Sequence, residues 1–374
     1  MQFIDLKKQY EVLKDKIDAR ISKALSGAHF IGGEEVGQIS AELASYCKTE
    51  YCLTCGNGTD ALTLALRCFN VGKGDAVFVP DFTFFASAET PALEGATCVF
   101  VDVDERTFNM DAEKLEEAIK EVIEEGKLTP KAVIAVDLFG LPADYPAIRK
   151  VTNKYKLALI EDGAQGFGGS INGKTACSFG DISTTSFFPA KPVGCYGDGG
   201  AVFTDDKEHY NLMSSLAVHG KGEYKYDNVR IGYNSRLDTV QAAVLLEKLK
   251  AFGEYELEAR NEIARKYTKK LGAKFKTPYV PEGFVSSWAQ YTLILDSAEE
   301  RSRIQAALKE KGIPSMVYYP KPMHTQTAFA DLADRSNKLT VSSYLSERVL
   351  SIPMHPYLTD EEIDLICNTL NGSK

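Results

Sequence analysis

Between Tyr51 and Thr204 the chain repeats one pattern: a short apolar run, then a stretch with helical spacing. The runs are Ala76–Val79, Thr97–Val101, Ala132–Leu138, Leu157–Ile160, Ile182–Phe187 and Ala201–Thr204. They are nearly continuous in apolar residues rather than alternating, so a strand built from one needs cover on both faces. The segments between them, Thr59–Cys68, Met110–Glu125 and Asp144–Lys154, carry helical periodicity. That confines the region to an α/β architecture, a mostly parallel sheet flanked by helices. In such sheets ligands bind beyond the carboxyl ends of the strands.

The flanking regions read differently. Leu6, Tyr10, Leu13, Ile17, Ile21 and Leu25 space one face of an amphipathic helix that glycines stop at Gly27 and Gly32. From Arg236 a long helical pattern runs past Leu257 to Ile263. Beyond it come a strand at Ala289–Ile294, a helix at Glu299–Lys311, a strand at Ser315–Tyr318, a helix at Ser336–Leu350 and a last helix from Asp360. Thr359 and Glu362 form a capping box for that last helix. The spacing predicts a large domain over 1–240 and a smaller α+β domain over 241–374.

Composition narrows the partners. A formal charge of −9, from 52 acidic against 43 basic residues, argues against nucleic acid as a general partner. No run approaches the roughly 18 apolar residues of a membrane helix, and the charged first residues do not read as a secretion signal. Eight cysteines lie mostly in apolar runs, as reduced thiols do, so a cytoplasmic setting is expected. Cys52 and Cys55 have a C-x-x-C spacing without a second pair or nearby histidine, so no metal or redox role is expected.

The chemistry concentrates after the apolar runs. Lys191 follows Ser186-Phe187-Phe188-Pro189-Ala190 and precedes the glycine-dense Gly194–Gly200. Apolar surroundings lower a lysine's pKa and favour its nucleophilic free amine. Asp162 closes the run before Gly163-Ala164-Gln165. A desolvated carboxylate there calls for a cationic partner. An amine able to form an imine, and a carboxylate able to hold a ring nitrogen protonated, are what pyridoxal phosphate asks of a protein. Gly56-Asn57-Gly58-Thr59-Asp60 before an apolar helix reads as a phosphate cradle or as an ordinary capped turn. Asp81-Phe82-Thr83-Phe84-Phe85 offers an aromatic for a flat ring, or plain core. Asn234 and Arg236 in Gly232-Tyr233-Asn234-Ser235-Arg236 reach an anion or cap the helix that follows.

Together these stretches resemble, along the full length, the sugar-nucleotide aminotransferases of the DegT/DnrJ/EryC/StrS family, pyridoxal-phosphate enzymes of fold type I. The resemblance also rests on Phe3-Ile4-Asp5-Leu6, Gly197-Asp198-Gly199-Gly200-Ala201 and Asn234-Ser235-Arg236-Leu237-Asp238. Gly163 stands where the family commonly has alanine. The resemblance implies that Lys191 carries the cofactor, which alternates with pyridoxamine phosphate, and that Asp162 partners the pyridine nitrogen. It implies that Phe84 stacks on the ring, that Gln165 contacts its hydroxyl, and that Gly58, Thr59 and Ser186 hold the phosphate. It further implies a homodimer with shared sites, Asn234 serving the neighbour's phosphate, and L-glutamate as amino donor. Lys191-Pro192-Val193-Gly194-Cys195-Tyr196 and Pro353-Met354-His355-Pro356-Tyr357-Leu358 look most like members that aminate UDP-2-acetamido-2-deoxy-3-oxo-D-glucuronate for O-antigen and other surface polysaccharides. His219, Arg236, Tyr318, Tyr319 and His324 are the candidate sugar contacts, with small-domain packing as the plainer reading of the tyrosines.

Four alternatives stand beside this reading. One is a C4 aminotransferase of UDP- or TDP-4-keto-6-deoxy hexoses, which shares most of these residues. Another is a non-catalytic, cofactor-binding regulatory protein. A nicotinamide oxidoreductase lacks the glycine fingerprint it would need, and a dehydratase of the same fold carries histidine where this chain has Lys191.

Overall fold

The computed structural model describes residues 1–224, 226–332 and 336–374. Up to Thr204 the strands are β1 (Tyr51–Cys55), β2 (Asp75–Pro80), β3 (Thr97–Val101), β4 (Thr129–Val136), β5 (Ala158–Asp162), β6 (Ser170–Ile171), β7 (Lys174–Thr175), β8 (Ile182–Ser186) and β9 (Gly200–Thr204). Seven of them form one sheet in the order β1-β9-β8-β5-β4-β2-β3. The β2/β3, β2/β4, β4/β5 and β5/β8 pairs are parallel, while β9 runs antiparallel to both β8 and β1. Hence β1, β2, β3, β4, β5 and β8 all point one way, and every motif that follows one of them arrives at the same sheet edge.

Through Leu216 the helices are α1 (Leu6–Gly27), α2 (Glu34–Cys47), α3 (Gly58–Cys68), α4 (Ala86–Leu93), α5 (Ala112–Glu125), α6 (Tyr145–Tyr155) and α7 (Lys207–Leu216). Strand residues alternate between two cores. Val77, Val79, Ile134, Val136 and Ile160 pack with α3, α4 and α7 on one face. Ala76, Phe78, Val133, Ala135 and Leu159 pack with α5 and α6 on the other. Both faces are therefore dry, as the continuous apolar runs require. Strand β1 is one element that the apolar runs do not single out.

The next helix, α8 (Thr239–Ala251), starts three residues later than the periodicity predicts. Residues 234–238 are held extended, because Asn234 bridges Val218 and Asp238 bridges Ile31. A π-helical turn, Phe252–Glu256, carries the chain from α8 into α9 (Leu257–Leu271). α8 packs with α2 and the Phe187 and Phe203 core, whereas a separate core begins at Ile263. That second core is built on β11 (Tyr291–Ile294) and β12 (Val349–Ile352), an antiparallel pair, with α9, α10 (Ala298–Glu310) and α12 (Asp360–Ser373). The two-residue β10 (Phe284–Val285) joins β6 and β7 in a small sheet that ties the two parts together.

Two expectations for the C-terminal region need correction. The predicted helix Ser336–Leu350 is a 3-10 turn at Ser336–Lys338 followed by α11 (Thr340–Arg348), and the chain then becomes β12, since pairing with β11 buries Val349, Leu350 and Ile352. The predicted strand Ser315–Tyr318 shrinks to one bridge between Met316 and Ser351. The capping box of Thr359 and Glu362 is present at α12.

Candidate active site

The ends of β1, β2, β5 and β8 deliver four loops to one edge of the sheet. Asp162 is the last residue of β5 and is 5% exposed. Its Oδ2 accepts a hydrogen bond from Ser87 Oγ at 2.7 Å, and its Oδ1 accepts one from the Ala164 amide at 3.2 Å. Burial pushes its carboxyl above the ordinary range, while the Ser87 hydroxyl, the Ala164 amide and the Lys191 charge pull it back. Lys191 is half-buried on the loop after β8. Burial lowers its pKa, and the Asp162 charge opposes that fall. The sequence-predicted pair is thus brought within electrostatic reach, each partner stabilising the other's charged form.

The glycine turn lies beside them. Asn57 caps α3 by accepting from the Asp60 amide at 2.8 Å. Ser235 Oγ accepts from the Gly56 amide at 3.0 Å and donates to Asp60 Oδ2 at 2.6 Å, which fixes the turn from a segment 175 residues away. A Cβ added to Gly58 would stand 2.7 Å from Ser186 Cβ, and one added to Gly200 would stand 2.5 Å from Asn57 C. Gly58, Thr59 and Ser186 therefore form one tight corner at the amino end of α3, where free amides favour an anion.

Phe84 is 53% exposed and faces Tyr319 at 6.2 Å between ring centroids, so it is available to a flat ligand rather than spent in the core. Its neighbour Phe82 is fully buried. Gln165 Oε1 accepts from the Phe139 amide at 2.8 Å, and its Nε2 donates to Tyr319 Oη at 3.1 Å. One of the two Gln165 amide protons is thereby placed, leaving the second for a ligand acceptor. Tyr318 is half-buried against Phe3, with ring centroids 6.1 Å apart. His324 is committed to Asp81: its amide donates to Oδ1 at 2.8 Å and its Nδ1 lies 2.7 Å from Oδ2. Asp81 is fully buried, and burial raises its pKa against the opposing pull of His324.

His219, Asn234 and Arg236 lie on the exposed loop before α8. His219 has a positive φ of 57°, and its backbone is held by Tyr233 and Asn228.

Two site residues carry no signal in the sequence. Ser87 reaches Asp162 from α4, 75 residues away. Gln241 grips the turn after Lys191: its Oε1 accepts from the Tyr196 amide at 2.8 Å and its Nε2 donates to the Tyr196 carbonyl at 3.2 Å. A serine or a glutamine inside a helix has no motif of its own.

The arrangement fits pyridoxal phosphate. Asp162 keeps acceptor capacity beyond its two hydrogen bonds, Lys191 has its free amine favoured, and the Gly58 corner excludes a side chain where a phosphate would need backbone amides.

Comparison with known proteins agrees. A sequence profile of the DegT/DnrJ/EryC1/StrS aminotransferase family matches residues 11–371. The chain is 44% identical over 377 aligned residues, covering all of both chains, to the UDP-2-acetamido-2-deoxy-3-oxo-D-glucuronate aminotransferase of Pseudomonas aeruginosa. It is 41% identical, over 99% of this chain and 98% of the other, to the UDP-N-acetyl-3-dehydro-alpha-D-glucosamine 3-aminotransferase of Acidithiobacillus ferrooxidans. Among solved structures, a DegT/DnrJ/EryC1/StrS aminotransferase from Brucella abortus superposes with a TM-score of 0.97 at 48% identity, covering 100% of this chain and 99% of the other. NtdA of Bacillus subtilis, solved with bound pyridoxamine phosphate, superposes with a TM-score of 0.90 at 28% identity, over 100% and 85% of the two chains.

Proposed function

Because the chain belongs to the DegT/DnrJ/EryC1/StrS aminotransferase family and is a pyridoxal-phosphate enzyme of fold type I, we propose that it moves an amino group from L-glutamate to UDP-2-acetamido-2-deoxy-3-oxo-D-glucuronate. The observation that carries the substrate is the end-to-end match to the Pseudomonas enzyme of that name. The product is an amino sugar suited to O-antigen or another surface polysaccharide. The eight cysteines are free and buried, which suits work in a reducing cytoplasm. Among the described residues no helix is long and apolar enough to cross a membrane.

In this reading Lys191 is the covalent anchor, Asp162 the acceptor of the ring-nitrogen proton, and Gly58, Thr59 and Ser186 the phosphate holders. Phe84 lies against the ring face, and Gln165, oriented by Tyr319, donates to the ring hydroxyl. Bound there, pyridoxal phosphate supplies an aldehyde that takes up and returns an amino group, and a ring that accepts the electrons of a breaking C–H bond. Asp162, anionic at the buried end of β5, would accept the hydrogen bond of the protonated ring nitrogen and so keep the ring electron-poor. With the cofactor bound, the Lys191 amine would be the base that takes the donor's Cα proton and the acid that delivers it to the cofactor's aldehyde carbon.

The site is completed by a second copy of the chain. Phe30, Ile31, Phe188, Tyr224, Tyr226, Val229 and Ile231 are large apolar side chains left exposed, and a partner covering them would bring its Asn234 to the phosphate of this protomer. The division into a cofactor-binding part (1–240) and a smaller part (241–374) belongs to the same proposal, although α8 packs with the first core. His219, Arg236, Tyr318 and Tyr319 then surround the sugar, and His324, clasped by Asp81, braces that wall.

The match to the Acidithiobacillus enzyme favours one second reading, in which the sugar carries a neutral C6 and not a carboxylate. A panel assay with glutamate and the 3-oxo uronate, the 3-oxo N-acetylglucosamine and 4-keto-6-deoxy nucleotides decides between them. The uronate should give the highest kcat/KM, and preference for any other overturns the assignment. Borohydride reduction followed by peptide mapping should label Lys191, and label on another lysine would remove the chemistry assigned to it.

A further inference from the structure

Asp162 needs to stay anionic in a place that disfavours charge, and the protein spends a chain of two hydroxyls on it. Ser87, 1% exposed in the first turn of α4, donates to Asp162 Oδ2 at 2.7 Å. Thr83, fully buried, lies with its Oγ1 3.2 Å from Ser87 Oγ. The direction of the chain is fixed by counting protons. An ionised carboxylate only accepts, so the single Ser87 proton points to Asp162. Ser87 then has only lone pairs to offer, so the Thr83 hydroxyl must be the donor between the two. Both hydroxyls sit in the segment that also carries Phe84, so one short stretch after β2 presents the ring face and fixes the ring's counter-charge.

We infer that Ser87, backed by Thr83, is a positioning residue that holds Asp162 in its ionised form and thereby sets how firmly the site retains a protonated pyridine nitrogen. A donor to a charged acceptor stabilises the charged form more than a donor to a neutral one. Burial acts on Asp162 in the opposite sense, and the Ser87 hydrogen bond is the largest influence opposing it. Without Ser87, Asp162 keeps one amide and the more distant Lys191 charge.

The inference rests on Asp162 being the ring-nitrogen partner, and the test separates the two claims. Apo-protein is titrated with pyridoxal phosphate and with its 1-deaza analogue, in which carbon replaces the ring nitrogen, and dissociation constants are read by fluorescence quenching. Asp162→Asn should weaken the natural cofactor strongly and the analogue little. If Asp162→Asn weakens both equally, the ring-nitrogen assignment falls and this inference with it. Given a selective Asp162→Asn effect, Ser87→Ala should weaken the natural cofactor about tenfold and leave the analogue unchanged. Ser87→Cys, close in shape but a poor donor, should behave like Ser87→Ala, and Thr83→Val should show a smaller loss of the same selectivity. Equal weakening of both ligands by Ser87→Ala and Ser87→Cys would mean that Ser87 only packs the site. Tight natural-cofactor binding by a folded Ser87→Cys protein would also overturn the inference. Should Ser87→Ala not fold, the Ser87→Cys and Thr83→Val pair decides alone.

Discussion

At the scale of single residues, two positions convert geometry directly into measurable behaviour. Gly58 has no room for a methyl group, because its Cβ would lie 2.7 Å from the Cβ of Ser186. Gly58→Ala must push α3 away from β8 and open the corner assigned to the phosphate. Cofactor retention in equilibrium dialysis should fall at least about tenfold, with a melting temperature lowered only modestly, as expected for a strained contact of about 1–3 kcal/mol. Unchanged retention would place the phosphate elsewhere. His355 is 3% exposed, and burial, reinforced by the Arg260 charge, lowers its pKa from 6.5 to about 4. The unfolded chain therefore takes up a proton near pH 6.5 that the folded chain refuses until about pH 4. Stability present above pH 6.5 should be lost as pH falls through that window, by about 3 kcal/mol. Urea unfolding of His355→Leu at pH 7 and pH 4.5 should show a flatter pH dependence than the parent, and parallel slopes would count against the assignment.

At the scale of elements, the run from α8 through the π-helical turn to α9 shows what sequence patterning conveys and what it omits. The turn places Glu256, fully buried, where it accepts from Gln9 Nε2 at 2.9 Å and from Tyr357 Oη at 2.5 Å. Lys248, 1% exposed and 4.4 Å above the Tyr196 ring, has its pKa lowered to about 8 by burial, against the opposing charge of Glu256. Arg260 is buried on the next turn. Glu256→Ala would leave two buried cations with their common counter-charge gone, a loss typically of about 3–5 kcal/mol. Chemical denaturation should show this as a lower midpoint with unchanged slope, and a shift equivalent to under about 1 kcal/mol would mean that the charges are screened by other means. The long helical period announced α8 and α9, since Val244, Leu245, Leu249 and Ile263 mark a buried face. It could not announce the π turn, which adds a residue to one turn without altering the apolar count. For a related reason β12 was read as the end of a helix: Val349 and Leu350 continue the spacing of Leu345, and only the edge of β11, 55 residues earlier, turns them into a strand. The site was legible wherever a residue type is unusual for its place, as with Lys191 between prolines or Asp162 at an apolar strand end. Ser87 and Gln241 were not, because their roles exist only across long sequence distances.

At the scale of the molecule, the large apolar side chains left exposed include Phe84 and Phe188, beside the sheet edge that carries the candidate site, and Phe30, Ile31, Tyr224, Tyr226, Val229 and Ile231. Exposed apolar surface beside a catalytic edge fits burial by a second protomer. Sedimentation should give a dimer at micromolar concentration, and Asn234→Ala should weaken cofactor retention more than it lowers the melting temperature, since Asn234 is exposed within its own chain. A fully active monomer would refute the shared site. Arg236, also exposed, is the test of substrate class. A guanidinium pairs with a carboxylate through two parallel donors, so Arg236→Lys should lower kcat/KM for the uronate by about ten- to a hundredfold. It should spare a substrate with a neutral C6, and equal losses on both would assign Arg236 to the loop or interface instead.

The reversed strand β9 has a consequence for how the molecule comes into being. β1 is flanked in the sheet by β9 alone, so the first strand of the sheet to be synthesised waits for the last. Everything from Gly58 to Ser186 emerges from the ribosome before Gly200 arrives to close against Asn57. Long-range pairings of this kind form late and leave an edge uncovered meanwhile. Gly58 and Thr59 thus wait about 140 residues for the strand that closes beside them, while Asp162, Ser186 and Lys191 emerge only in about the last 40 of that interval.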